Sequence, residues 1–186
     1  MPRFEFWYQG TMSELNTRCL AAFGSWLENL ADDTRSVADA VENEELPVEV
    51  RRPLAAGLNY LFKSLDLIDD GIEGIGFLDD ALVIRAAASR AGAAAPESIK
   101  SLASDNQLIG EFLDDLSPRF SRFVESLDAG SVHGRSVEAV VTDTAVRDDL
   151  LGDVRGWASR YQRPHFSADE KHLVKLRSFL AAKLPA

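Results

Sequence analysis

Apolar side chains in this chain recur at spacings of three and four and almost nowhere alternate, so its core must be built by helices packing their faces together. Between residues 15 and 30 the stripe is Leu15, Cys19, Ala22, Phe23, Trp26, Leu27 and Leu30. Val37, Ala40 and Val41 carry it past Asp32 and Asp33, where the helix either bends or restarts on an aspartate cap. Residues 54–62 read as helix from Pro47 or Pro53, since proline suits a first helical turn. Further helices are expected over 77–90, 97–116, 118–127 with Ser117 as cap, and 137–161 with a break around 142–148; residues 130–134 read as a loop. The last helix opens with Ser167 and Glu170 spaced as a capping box, followed by Leu173, Leu176, Phe179 and Leu180. The expected fold is therefore all-α: residues 1–186 as a single globular helical domain of roughly six to eight helices around a central hairpin at 53–90.

Composition narrows the function classes. A chain of 186 residues is long enough to bury a core without staples, and its single cysteine, Cys19, excludes an intrachain disulfide framework and fits a cytoplasmic location. No run of 18 apolar residues occurs, so no transmembrane segment is expected. The net charge is −10, distributed as −15 over residues 1–153 and +5 over residues 154–186. An acidic body repels phosphates, so nucleic acid is not an expected partner. The basic end carries Arg155, Arg160, Arg163, Lys171, Lys175 and Arg177. It suits a solvated face, peripheral contact with acidic lipid headgroups, or the acidic body of a second copy.

The segment 53–89 reads PLAAGLNYLFKSLDLIDDGIEGIGFLDDALVIRAAAS. Tyr60, Asp66, Leu67, Ile68, Asp70, Ile72, Gly76, Phe77, Leu78, Asp79 and Asp80 fall, without a gap, on the pattern Y-L-x-S-P-I-D-L-I-P-D-x-I-P-x-x-G-Y-L-D-D. In this the segment resembles the YkvA-like family, a domain of unknown function. Phe77 replaces the pattern's tyrosine, and Ser64, Asp69 and Glu73 stand where it has prolines. The resemblance covers about a fifth of the chain. It implies a helical hairpin, membrane-associated in some relatives, and no known reaction.

Residue chemistry gives the same segment two readings. In the first, Asp66 caps a short turn and Asp79 and Asp80 sit in the first turn of a helix, where carboxylates offset the positive end of the helix dipole by about 0.3–1 kcal/mol each. Tyr60, Leu67, Ile68, Ile72, Ile75, Phe77 and Leu78 then pack between the two helices. In the second, six acids in fifteen residues, Asp66, Asp69, Asp70, Glu73, Asp79 and Asp80, hold a hard cation, Ca or Mg, with no base among them. An EF-hand loop begun at Asp66 places Asp70 and Gly71 correctly but puts Ile68 and Phe77 at ligand positions, so the segment is no EF-hand.

Catalytic signals are thin. His133, His165 and His172 form no metal-binding spacing, Cys19 lies on an apolar stripe, and no nucleophile can be paired with a base. The strand-like exception to helical spacing is the aromatic N-terminal arm, residues 1–10, where Phe4, Phe6, Trp7 and Tyr8 form a candidate interaction surface. The first expectation is thus a non-enzymatic helical interaction or adaptor module, with no cofactor, that contacts a protein partner or forms a homo-oligomer. A divalent-cation-binding regulatory module comes second and an enzyme of unrecognised type third.

Overall fold

The computed structural model describes the backbone of residues 4–186 and the side chains of residues 14–186. Nine α-helices lie among the described residues: α1 (Phe4–Glu42), α2 (Val48–Tyr60), α3 (Leu78–Arg90), α4 (Glu97–Ser104), α5 (Asn106–Leu113), α6 (Ser117–Ser126), α7 (Val137–Thr142), α8 (Thr144–Arg160) and α9 (Glu170–Lys183). A two-residue antiparallel ladder, β1 (Ser131–Val132) with β2 (Arg135–Ser136), is closed by His133 and Gly134, both at positive φ. The fold is all-α.

Helix spacing located these elements, and local chemistry decided their ends. Asp32 and Asp33 do not restart α1, which runs on to Glu42. Asp33 instead faces inward to Arg85. Helix α2 begins after Pro47 and contains Pro53, whose missing N–H leaves the carbonyl one turn earlier without a helical partner. The expected helices at 97–116 and 137–161 are each divided. The second divides at Asp143, whose carboxylate accepts the N–H groups of Ala145 and Val146 and starts α8. Ser117 makes no capping bond and lies within α6. The expected capping box at the last helix is displaced too: Asp169, not Ser167, accepts the first free N–H, from Lys171 at 2.9 Å. Aspartate and serine cap comparably, so a competing aspartate two residues nearer the helix takes the role.

Two apolar clusters form the interior and share α3 as their common wall. One gathers Phe23, Trp26 and Leu30 of α1 with Leu78 and Leu82 of α3, Phe112 and Phe120 of α5 and α6, and Leu176 and Leu180 of α9. The other gathers Val37 and Val41 of α1 with Leu54 and Leu58 of α2, Ile84 and Ala88 of α3, and Val140 and Leu150 of α7 and α8. Residues 78–88 of α3 are buried on every side, which explains their alanine-rich composition: neighbours approach closely on all faces. Where α2 crosses α3, a Cβ at Gly57 would come within 2.9 Å of the Ala87 methyl.

Arg85, buried within α3, pairs with Asp33 and Asp105 at 2.8 Å each and lies over the Trp26 ring at 4.4 Å. It joins α1, α3 and the α4–α5 corner through one planar fork. Three bases of the C-terminal segment 154–186 are likewise engaged in internal pairs: Arg155 with Glu42, Arg163 with Glu28, Arg177 with Asp115. No helix among the described residues is long and apolar enough to cross a membrane.

Candidate functional site

The chain between α2 and α3, residues 61–77, folds as a succession of turns against the start of α3. A buried clamp holds it. The Tyr60 hydroxyl donates to Asp79 Oδ2 at 2.5 Å and accepts the Leu67 N–H at 2.9 Å, while the Ile68 N–H donates to the same Asp79 oxygen at 3.1 Å. Two backbone donors of the turn are thereby satisfied inside the protein by residues of α2 and α3. Leu67, Ile68 and Ile75 then drop into the first apolar cluster, as the hairpin reading expected.

Two glycines permit the path. A Cβ on Gly76 would lie 2.1 Å from the Asp70 carbonyl oxygen. Gly74, at φ +83, has the His172 ring of α9 packed on it, and a Cβ there would lie 2.3 Å from Nε2. His172 Nδ1 lies 3.0 Å from the Ser167 carbonyl, and Lys175 Nζ donates to the Glu73 carbonyl at 2.8 Å, so α9 braces the turn from outside. Phe77, the residue before α3, is left-handed at φ 64, ψ 0. For a bulky aromatic that backbone is strained, and the Phe77 ring packs edge-on against Trp157 and Tyr161.

The six acids of the turn separate into two groups. Asp69, Asp70 and Glu73 are exposed; Asp69 accepts the Gly71 N–H at 2.8 Å, the short-range turn bond expected of Asp66. Asp66 does not cap: its Oδ1 is buried and without a hydrogen bond. Asp79 and Asp80 stand in the first turn of α3 as expected, but at 0 and 4% exposure they are interior groups rather than surface caps. Asp79 Oδ1 also lacks a partner.

Burial therefore raises Asp66, Asp79 and Asp80 together. Asp79 is pushed up to about 6 by burial, against the opposing hydrogen bonds from Tyr60 and Ile68. Asp66 is pushed up to about 7 by burial and by the negative charges of Asp79 and Asp70, with Lys63 opposing. Asp80 stands well above the ordinary carboxylate range through burial and the neighbouring carboxyls Asp79, Asp70 and Asp66. Asp70 is raised by desolvation and by Asp69. With no base drawn into the cluster, the favourable way to bury such groups is to keep protons on them.

Among the described residues no three His, Cys, Asp or Glu side chains stand ready to hold a metal ion. Cys19 is buried and its thiol pushed up to about 11 by desolvation, which makes it an inert packing residue. His133 is exposed at the tip of the β-turn. Phe4, Phe6, Trp7 and Tyr8 belong by backbone to the start of α1 rather than to a strand, and the surface they would form lies outside the described side chains.

What sequence reasoning missed is Leu65. It is 82% exposed, the most open large apolar side chain among the described residues, and sits between Ser64 and Asp66. Only its polar neighbours, Ser64 and Asp66, hint at that exposure in the sequence. No family model matches the chain, and no curated protein or solved structure matches it either.

Proposed function

We propose that this protein is a non-enzymatic interaction module whose docking feature is the turn between α2 and α3, with Leu65 as apolar anchor and the exposed Asp69, Asp70 and Glu73 as acidic surround. The observation that carries this reading is the exposure of Leu65 on a turn clamped from within by Tyr60 and Asp79. An anchor held in its bound position loses little conformational freedom on docking, the condition under which one apolar side chain contributes strongly to binding. Beside it opens a hollow of about 190 Å³ lined by Leu65, Asp66, Ile72, Phe179 and Lys183, able to take a side chain in return. The partner implied is a protein with an apolar cleft rimmed by basic residues. The hairpin resemblance to YkvA-like domains belongs to the same proposal, since its patterned residues are those that form the clamp.

The test compares the wild-type chain with Leu65→Asp as bait at low and high salt. A protein retained by the wild type, lost with Leu65→Asp and weakened by salt supports the reading, provided both baits melt alike. Equal retention by the two baits, or salt-independent retention, contradicts it.

A second reading is favoured by the two buried oxygens without partners, Asp66 Oδ1 and Asp79 Oδ1. In it Ca or Mg replaces the protons of the cluster and the module is cation-regulated. Ligand at about a hundred times its Kd stabilises by about 2.7 kcal/mol, so a chelator-treated chain would melt several degrees higher in excess cation, and Asp79→Asn would abolish the rise. An unchanged melt would remove this reading and leave the docking proposal standing.

A further inference from the structure

On another face, where the start of α3 meets the end of α8, lies a hollow of about 310 Å³ lined by Phe77, Trp157, Arg160, Tyr161 and Gln162. That is the lower end of the size range of small-molecule sites, about 300–1,000 Å³, and the lining has their usual make-up of apolar walls with few polar groups. Its three rings support one another: Phe77 stands edge-on to Tyr161 at 5.3 Å and to Trp157 at 6.2 Å, and Trp157 lies 5.1 Å from Tyr161. The Tyr161 hydroxyl is committed inward, donating to the Leu27 carbonyl at 2.7 Å, so the ring is fixed and offers no polar tip. All three side chains are half-buried. The left-handed backbone of Phe77 places its ring in this group.

The rim is supplied by Arg160. Its guanidinium folds back along α8 over Gly156, where a Cβ would come within 3.4 Å of it. Arg155, Arg163 and Arg177 all have carboxylate partners, whereas Arg160 has none among the described residues. Gln162 makes no hydrogen bond among them either. The hollow thus joins an aromatic wall to an unpaired, fork-shaped cation. Asp80 and Asp70 act on Tyr161 from the protein side. Burial holds Asp80 well above the ordinary carboxylate range, and Asp70 is raised in the same direction. A molecule of net charge −10 disfavours polyanions such as nucleotides more than a singly charged ligand, and the one unpaired guanidinium matches a single carboxylate beside a flat apolar face.

We propose that this hollow binds a planar aromatic carboxylate, with its ring against Phe77, Trp157 and Tyr161 and its carboxylate on the Arg160 guanidinium. The test is calorimetric titration of the full chain with 2-naphthoate, with 2-naphthylmethanol, which keeps the aromatic face without the charge, and with cyclohexanecarboxylate, which keeps the charge without the aromatic face. Saturable one-to-one binding of 2-naphthoate is expected, with each analogue weaker by about tenfold or more. Arg160→Gln, at an exposed position, is expected to weaken 2-naphthoate by about tenfold without moving the melting temperature, while Arg122→Gln on α6 changes nothing. Absence of saturable binding, equal binding of the uncharged analogue, or equal loss in both arginine variants would overturn the proposal.

Discussion

The residues that shape the α2–α3 turn act through satisfied backbone groups and close approaches, and each predicts a measurable cost. Removing the Tyr60 hydroxyl strips the Leu67 N–H of its acceptor and Asp79 of its donor inside the protein. Tyr60→Phe should therefore destabilise by about 1–3 kcal/mol in urea unfolding, more than the near-zero effect of deleting a solvated hydroxyl. Gly74→Ala meets both a positive φ and the His172 ring. It should cost at least about 2 kcal/mol, and pairing it with His172→Ala should recover part of the loss while the backbone share remains. The glycine was legible in the sequence as a turn residue; the ring packed on it, from about a hundred residues away, was not. Phe77 was illegible for the opposite reason, because a bulky aromatic gives no local sign of a left-handed backbone.

At the scale of elements, α3 has two buried carboxyls at its start and a buried arginine in its middle, and both leave signatures. For Asp79 the folded value is about 6 against an ordinary 3.8, so the folded state binds the proton more tightly than the unfolded chain. Its contribution to stability is complete below about pH 4 and is lost as pH rises through about 6, and Asp66 extends the window to about 7. The loss from Asp79 is on the order of 3 kcal/mol at about 1.4 kcal/mol per pH unit. The melting temperature should rise as pH is lowered from about 8 to about 5, and Asp79→Asn should flatten that rise. A melting temperature that falls over this range would show the carboxyls ionised and paired. Arg85→Ala leaves Asp33 buried without its partner and should cost about 3–5 kcal/mol, read by chemical denaturation. The apolar stripes made the helices readable. Their ends were not, because Asp143, Asp169 and Ser167 offer equivalent local chemistry that only the surrounding path decides. Nor was the burial of Asp79 and Asp80, since carboxylates in a first helical turn read as surface caps or cation ligands until α2 supplies Tyr60.

For the whole molecule, α3 is the wall between two apolar clusters and α1 runs through both, so neither cluster is complete without the other. Calorimetric unfolding should show one transition whose van't Hoff and calorimetric enthalpies agree, and two resolved transitions would mean the clusters fold separately. The charge asymmetry seen along the sequence does not survive folding as two poles. Arg155 and Arg163 of the C-terminal segment pair with Glu42 and Glu28 of α1, and Lys175 reaches the acidic turn. Linear charge counts could not show this, because α8 and α9 return beside α1 only in three dimensions.

The claim on which the rest depends is that Tyr60 and Asp79 hold the turn, and with it Leu65, in one conformation. Site-resolved amide hydrogen exchange of the wild type and Tyr60→Phe tests it most directly. The Leu67 and Ile68 amides are expected to be protected in the wild type and to lose that protection in the variant by more than the core amides of α1 and α8 do. Free exchange of Leu67 and Ile68 in the wild type, or protection unchanged by the loss of the hydroxyl, would contradict it.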